Sequence, residues 1–273
     1  MNFFIEGIQG AGKSTLTGRL AERLSDHKVF HEGDHNPVEL AWCAYMTKEQ
    51  YEAVLVKYEQ IAEEIKANTI TEPEYQRKDQ AECGEEEIRY IVTYTRIITD
   101  IPGFHKDLEQ YEIYNGRIAG EDFERIILSR YARWHGERQI FECSFFQNIV
   151  EDFILYSEIP EEKILEFYKR LKQVLSGREY KIVYLDVEDV AEGIDIIRKE
   201  RVDGNGNEMW FPLMMEYLKQ SPRGLHQGWK DFDDLVGHLE HRKSVELRIL
   251  RDILPEHALI LRSKDYDLTS ITV

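Results

Sequence analysis

The residues best suited to chemistry follow the first apolar run of the chain. Residues 7–15, GIQGAGKST, fit the phosphate-binding pattern G-x-x-x-x-G-K-[ST] at every fixed position. In such a loop the backbone N–H groups turn inward beside a helix N-terminus, and the lysine reaches the terminal phosphates of a nucleotide. The pattern predicts a nucleoside triphosphate site, although a glycine-rich turn without a ligand is the alternative. The predicted binding residues are Gly7, Gly10, Ala11, Gly12, Lys13, Ser14 and Thr15, with Lys13 also catalytic.

Two oxygen-bearing side chains are candidates for holding Mg²⁺. Ser14 follows the lysine of the loop, and Glu142 ends the apolar run at 139–142. A carboxylate at the end of such a strand can bind magnesium directly or through water, opposite the hydroxyl of the loop. We therefore predict a magnesium site at Ser14 and Glu142. Acids commonly follow strands, so Glu142 alone would be weak evidence.

A second group of polar residues follows the run at 28–32. Residues 33–37 are punctuated as a loop by Gly33 and Pro37, and Glu32 and Asp34 provide two carboxylates there. Ligands bind at the carboxyl ends of strands in open parallel sheets, so this loop is a candidate acceptor site. Glu32, Asp34 or neither can be the base that takes a proton from an acceptor hydroxyl, because the spacing alone does not decide.

The third candidate is a basic cluster, RKER at 198–201, which precedes the Gly/Asn-rich residues 202–207, a composition that no compact element is expected to use. In an acidic protein this arrangement predicts a mobile lid in which Arg198 and Arg201 bring positive charge to a transferring phosphate. The alternative is a helix C-terminus, where cations are favoured in any case.

Alternating strands and helices must position these residues. Short runs at 2–6, 28–32, 139–142, 180–186 and 258–261 predict five strands, separated by segments with helical periodicity. This alternation predicts an α/β fold, a three-layer P-loop sandwich with a five-stranded parallel sheet. We expect residues 1–273 to form a single domain that carries a mostly helical insertion at 38–134. Within the insertion, residues 69–87 are predicted to be an exposed connection, and the type of 88–98 stays open. The sequence also predicts a helix with Leu16 and Leu20 on one face, a capping box at Thr47 and Gln50, a helix cap at Ser144 and a helical segment at 226–254.

Composition limits the partners. The 35 basic and 52 acidic residues give a net charge of −17, which repels nucleic acids and anionic membranes. Cys43, Cys83 and Cys143 are too few and scattered for a disulfide framework, and free thiols suit a reducing compartment. No apolar run reaches membrane-spanning length and no cleavable leader is visible. We predict a cytoplasmic protein without polynucleotide or membrane partners and leave a homodimer open.

The motifs resemble those of the nucleoside and nucleotide kinases, most closely the deoxynucleoside kinase and thymidylate kinase group. The likeness covers residues 1–37, 139–202 and the last strand. In that group the second strand ends in a catalytic glutamate, a place that Glu32 takes here. The third strand ends in an acid, as at Glu142, and a later helix leads into an arginine-rich lid, as at Arg198 and Arg201. The resemblance therefore implies Glu32 as the base.

The sequence departs from that group at two positions. Gly33 stands where the group has a proline, and Cys143 stands where it has an arginine. The resemblance accordingly supports phosphoryl transfer to a small molecule better than it identifies a nucleoside as that molecule. We expect an ATP- and Mg²⁺-dependent kinase of a small-molecule acceptor. The alternatives are a nucleotide hydrolase or regulatory switch that signals through its helical insertion, and a nucleotide-binding protein without turnover.

Overall fold

The computed structural model describes residues 1–73 and 88–271. The chain divides into two compact units. Unit 1 consists of residues 1–31 and 135–273, and unit 2 consists of residues 32–134. The expectation of an exposed connection at 74–87 lies outside the described residues, as does Cys83.

The described residues form eight strands and eleven α-helices. The strands are β1 (Asn2–Glu6), β2 (Lys28–Phe30), β3 (Ala44–Met46), β4 (Thr69–Pro73), β5 (Ile88–Val92), β6 (Gln139–Glu142), β7 (Tyr180–Asp186) and β8 (Ala258–Arg262). The helices are α1 (Lys13–Arg23), α2 (Lys48–Lys57), α3 (Ala62–Ala67), α4 (Phe104–Glu109), α5 (Gly120–Arg133), α6 (Gln147–Leu155), α7 (Glu161–Val174), α8 (Val190–Glu200), α9 (Trp210–Gln220), α10 (Pro222–Gln227) and α11 (Phe232–Asp252).

Unit 1 contains a five-stranded sheet with the order β2-β6-β1-β7-β8, and every pair in it is parallel. This confirms the predicted α/β fold with a five-stranded parallel sheet, and its helices are consistent with a three-layer sandwich. The central strand β1 is buried along its whole length. A strand that is covered on both faces in this way needs apolar side chains on both faces, as its middle residues have. Phe4 stacks on Phe141 of the neighbouring strand, with 4.9 Å between ring centroids. Burying such a ring contributes about 1.5–3 kcal/mol.

The helices of unit 1 follow the predicted periodicity with corrections at their ends. Leu16 and Leu20 are buried on one face of α1, as predicted. The proposed cap Ser144 does not cap a helix, because α6 begins only at Gln147 and the Ser144 hydroxyl donates to the Glu142 carbonyl oxygen. The helix expected at 226–254 is divided instead: α10 ends at a left-handed Gly228, and α11 begins beyond it.

Unit 2 combines helices with a three-stranded antiparallel sheet in the order β3-β5-β4. The expectation of a mostly helical insertion did not include this sheet. The prediction of an exposed connection was wrong for Thr69–Pro73, because this segment is a strand that pairs with Ile88–Val92. These strands are short and contain polar residues, so their periodicity was weak. The capping box of Thr47 and Gln50 at the start of α2 is confirmed.

Unit 2 has a hydrophobic core of its own, rich in tyrosine and aliphatic side chains. Its buried members include Met46, Tyr51, Val54, Tyr58, Ile65, Val92, Tyr94, Phe104 and Leu108. The Tyr51 ring stacks on Tyr90 at 4.5 Å, and Tyr58 meets Phe104 edge to face at 5.0 Å. Such aromatic pairs add about 0.5–1.5 kcal/mol beyond their buried area.

Two further expectations concern compartment and membranes. Cys43 and Cys143 are buried free thiols. Across the described ranges 1–73 and 88–271, no helix is both long enough and apolar enough to cross a bilayer.

Candidate functional site

The glycine-rich loop lies between the central strand β1 and helix α1. Gly7, Gly10 and Gly12 have φ angles of 138°, 78° and 90°, in a region that disfavours residues with a Cβ. A Cβ on Gly7 would lie 2.7 Å from the carbonyl oxygen of Leu185, and one on Gly10 would lie 2.6 Å from Cδ1 of Ile197. The first and second glycines are therefore required by both conformation and space.

The side-chain ammonium of Lys13 lies against the backbone of this loop. Its Nζ donates to the carbonyl oxygens of Gly7, at 2.9 Å, and Ile8, at 3.0 Å, and the residue is only 8% exposed. Gly12 is the N-cap of α1 and provides no side-chain cap, so the N-terminal amides of the helix are not used by a capping side chain. The Ser263 hydroxyl donates to the Ala11 carbonyl oxygen at 2.8 Å and ties the loop to the end of β8. These are the features of an anion-binding loop.

Glu142 connects three strands of the sheet at their carboxyl ends. The Ser14 hydroxyl donates to its Oε1, and Nδ1 of His31, just beyond β2, lies 2.8 Å from its Oε2. The parallel order β2-β6-β1 brings these residues together, although Ser14 and Glu142 are 128 positions apart in the chain. The sequence placed Ser14 and Glu142 at one site, and the structure puts them in direct contact. His31 was missed because a single histidine after a strand carries no pattern.

The glycine-rich loop ends in a hydroxyl, that of Ser14, which contacts the carboxylate of Glu142. Mg²⁺ is usually held by one or two carboxylates together with substrate phosphates and waters, rather than by a cage of protein ligands. Among the residues that the structure describes, no group of three or more His, Cys, Asp or Glu side chains is arranged to bind a metal. Ser14 and Glu142 supply one hydroxyl and one carboxylate, which are oxygen ligands of the kind that Mg²⁺ takes.

Glu6, the last residue of β1, holds the segment that follows Glu142. Its carboxyl oxygens accept N–H hydrogen bonds from Phe145 at 2.6 Å and Phe146 at 3.2 Å. Burial raises the pKa of Glu6 to about 8, although the two N–H donors and the nearby Lys13 oppose this change. Cys143, which lies in the chain between Glu142 and these two N–H donors, has a left-handed φ of 60°. The sequence signal for Glu6 was a charged residue directly after the apolar residues Phe3, Phe4 and Ile5 of β1.

A buried ionic network joins α6, α11 and β7. Glu151 Oε2 lies 3.1 Å from both His238 Nε2 and Arg242 Nη1, and Arg242 Nε lies 3.0 Å from Glu246 Oε1. Tyr184 donates to Glu246 at 2.7 Å. Burial alone would raise the pKa of Glu151, but His238 and Arg242 together lower it to about 2. Sequence reasoning missed this network, since its members follow ordinary helical spacing.

The predicted lid residues lie in and just after α8, whose Ile197 contacts Gly10 of the loop. The Arg198 guanidinium is already engaged: its Nε donates to Glu208 at 3.0 Å, and it lies over the Phe211 ring at 4.5 Å. Arg201 is exposed, and its side chain has no ion-pair partner within the described part of the chain. Of the two arginines, Arg201 is the one whose charge is available to a ligand.

Residues 202–208 form a compact turn rather than an irregular loop. Val202 and Glu208 form an antiparallel bridge. The Asp203 carboxylate accepts from the side-chain amide of Asn207, at 2.8 Å, and from the backbone N–H groups of Asn207, at 2.9 Å, and Asn205, at 2.8 Å, and these bonds lower its pKa. The interpretation of this stretch as one that no compact element would use is therefore corrected, because Asp203 provides the missing hydrogen bonds. Whether it moves as a lid stays a prediction.

The two candidate bases belong to unit 2 and are both hydrogen-bonded there. Glu32 accepts from the indole N–H of Trp42 at 3.3 Å, and Asp34 forms an ion pair with Arg96. Gly33 between them has a left-handed φ of 83°, as the turn requires. Trp42 shares this conformation, with φ 61°, which is costly for an aromatic residue. The choice between Glu32 and Asp34 stays open.

Unit 2 also buries acids that the sequence did not single out. Burial raises the pKa of Glu39 to about 8, and the Ala41 N–H that donates to it at 2.6 Å does not offset the loss of solvent. Burial likewise raises the pKa of Glu112 to about 7, and this carboxyl accepts from the Tyr94 hydroxyl. The buried Arg130 donates to the Asn36 carbonyl oxygen at 2.6 Å.

The comparisons with known proteins leave the family open. No protein-family model matches the chain, and no curated protein shows significant similarity to it. The likeness to nucleoside and nucleotide kinases therefore stays a resemblance in motifs, and any function must be argued from the site.

Proposed function

We propose that this protein transfers a phosphoryl group from ATP, in the presence of Mg²⁺, to a hydroxyl group of a small molecule. The observation that carries the proposal is the contact between Ser14 and Glu142 at the end of the glycine-rich loop. A loop that only turns the chain has no need of a buried carboxylate bound to the hydroxyl that follows its lysine. The absence of the guanine-reading Asn-Lys-x-Asp sequence favours ATP over GTP.

Each candidate site residue of unit 1 has a role in this proposal that its position supports. Lys13, held at the loop, would place positive charge on the terminal phosphates, and the N-terminus of α1 would add N–H donors to them. Ser14 and Glu142 would hold the magnesium ion, which supplies charge neutralisation on the phosphates when bound. Arg201, exposed after α8, would stabilise charge that develops on the transferring group.

The acceptor end of the reaction needs a hydrogen-bond acceptor for the attacking hydroxyl. We assign this role to Glu32, with Asp34 as the competing residue, because a kinase orients its acceptor with a carboxylate and moves the hydroxyl proton to it. The acceptor is a small molecule, and nucleosides and nucleotides are the first candidates to test because the resemblance in motifs points to enzymes that act on them. The two buried thiols and the acidic charge fit a cytoplasmic enzyme that does not bind nucleic acid.

The experiment is a phosphoryl-transfer screen with ATP labelled at the γ-phosphate. The purified protein is incubated with Mg²⁺ and a panel of nucleosides, nucleotides and antibiotics, with Lys13→Ala as the matched control. Label on an acceptor that disappears in the control supports the proposal. Label released only as inorganic phosphate indicates the hydrolase or switch instead, and nucleotide binding without release of label indicates a protein without turnover.

A further inference from the structure

The contact between His31 and Glu142 is not explained by the roles assigned above. His31 follows β2 directly, and its side chain is 55% exposed, whereas the Glu142 side chain is only 7% exposed. An exposed histidine gains little by bonding to a carboxylate unless that carboxylate needs orientation. Here Nδ1 lies 2.8 Å from Oε2, on the opposite oxygen from the one that Ser14 contacts.

The two contacts together fix the plane of the Glu142 carboxylate. A carboxyl group bound through one oxygen can still rotate about its last bond, but one bound through both oxygens has a single orientation. The donors come from different strands, since Ser14 follows β1 through the loop and His31 follows β2, and β6 lies between these strands in the sheet. Glu142 is therefore held from both sides by the two strands that flank its own.

We propose that His31 is a positioning residue that orients the Glu142 carboxylate for a divalent cation bound with the nucleotide. The inference rests on the proposed function, because Glu142 has this task only if the loop binds a metal–nucleotide complex. Loss of a residue that hydrogen-bonds to a metal-binding carboxylate typically lowers metal affinity by about 10- to 100-fold. His31 would accordingly act through Glu142 and would not touch the nucleotide or the acceptor.

The chain contains a matched pair elsewhere in unit 1. His226 Nδ1 lies 2.8 Å from Glu158 Oε2, the same atoms at the same distance, but the Glu158 side chain is 30% exposed. This histidine–glutamate pair lies outside the glycine-rich loop and outside the ends of β1, β2 and β6. His226→Ala therefore removes a histidine–glutamate contact of equal distance without affecting Glu142.

The test measures metal binding and does not require turnover. Electron paramagnetic resonance gives the affinity for Mn²⁺ in the presence of a non-hydrolysable ATP analogue, for the parent protein, His31→Ala, His31→Asn and His226→Ala. Calorimetry with the same analogue in EDTA gives metal-free nucleotide affinity. Asparagine at 31 offers an N–H at about the distance of Nδ1 from the backbone, so it can replace the contact.

We expect His31→Ala to weaken Mn²⁺ binding about tenfold or more, with metal-free nucleotide affinity and melting temperature unchanged. His31→Asn should recover most of the loss, and His226→Ala should match the parent. Equal Mn²⁺ affinity in His31→Ala and the parent would overturn the inference while leaving the proposed function intact. A parent protein that binds no Mn²⁺ with the analogue would overturn both. Equal losses in the alanine and asparagine variants would also count against a positioning role.

Discussion

Unit 1 and unit 2 assemble polar side chains in different ways. In unit 1, parallel pairing brings Ser14 and His31 to Glu142 across separations of 128 and 111 residues. In unit 2 the candidate carboxylates contact partners at both short and long separations, Glu32 with Trp42, 10 residues apart, and Asp34 with Arg96, 62 apart. Carboxyl ends of parallel strands meet at one edge, so unit 1 concentrates its functional groups where ligands bind in such sheets. Unit 2 has no comparable edge in its antiparallel sheet.

The largest effect is expected from removing the negative charge of Glu142, at the edge where the strands of unit 1 meet. Glu142→Gln keeps the shape of the side chain and loses its negative charge, so we expect turnover to fall about a thousandfold, which corresponds to about 4 kcal/mol. Initial rates over a range of Mg²⁺ concentrations measure the loss. The exposed Glu166, paired with Lys163 on α7, provides the control Glu166→Gln. Full activity in Glu142→Gln would contradict the assignment and transfer it to another acid.

The next prediction asks whether unit 2 supplies a catalytic group. We expect Glu32→Gln to lower the single-turnover rate about a hundredfold, the size typical of a lost general base, and Asp34→Asn to have little effect. Rapid-quench measurements with an identified acceptor decide between them. A large loss confined to Asp34→Asn would show that Asp34 is the base. If neither variant changes the rate, unit 2 supplies no proton acceptor from this turn.

A smaller effect is expected from the arginines around α8. Arg201→Ala should lower kcat about tenfold with little change in KM, because the exposed guanidinium would act only on charge that develops in the transition state. Arg198→Ala should mainly lower the melting temperature, since this guanidinium is paired with Glu208 and lies over Phe211. Steady-state kinetics and thermal unfolding of both variants separate the two effects. A pure KM change in Arg201→Ala would contradict a catalytic lid.

The last of these predictions concerns the buried acids. With a folded pKa near 8, Glu39 stays protonated in the native state up to that pH, while in the unfolded chain it ionises near its usual 4.5. The native state therefore binds more protons between these values, and its stability falls as pH rises through that window. The slope for one such group is about 1.4 kcal/mol per pH unit.

Urea unfolding at pH 5.5 and pH 8 tests this prediction for each unit. Glu39→Gln should flatten the pH dependence that arises in unit 2, and Glu6→Gln should flatten the part that arises in unit 1, because Glu6 has a similarly raised pKa. The exposed Glu63, paired with Lys66, provides the control Glu63→Gln. An unchanged slope in both variants would show that the two buried carboxyls do not titrate in this range.

The sequence predicted unit 1 far better than unit 2, for a physical reason. Strands whose sequence is a largely apolar run are recognised from local pattern, so β1, β6, β7 and β8 were found within a residue or two of their observed ends, although β8, at the sheet edge, is only partly buried. The strands of unit 2 have intermediate burial and mixed composition, as in TITEP at 69–73, and their pairing depends on partners that lie far along the chain. Local pattern carried no information about that pairing.

Residues of the candidate site could be predicted from the sequence where they belong to a motif. They could not be predicted where their role depends only on contacts in the folded structure. Ser14 and Glu142 were found because one belongs to a loop pattern and the other ends a strand. His31 and Glu6 acquire their roles from the sheet order and from burial, which no local spacing encodes. The compact turn at 202–208 was missed because a single residue, Asp203, provides hydrogen bonds that the Gly/Asn composition did not reveal.

The most direct test of the central claim, that the loop of unit 1 binds the phosphates of ATP, is calorimetric titration of the parent protein and Lys13→Ala with ATP and Mg²⁺. The variant removes the ammonium that lies 2.9 Å from the Gly7 carbonyl oxygen and leaves the glycines in place. Lys163→Ala, an exposed lysine on α7, is the control. We predict binding by the parent and the control, and a loss of at least about a hundredfold in affinity for Lys13→Ala, which is about 3 kcal/mol. Equal ATP affinity in all three proteins would contradict the account.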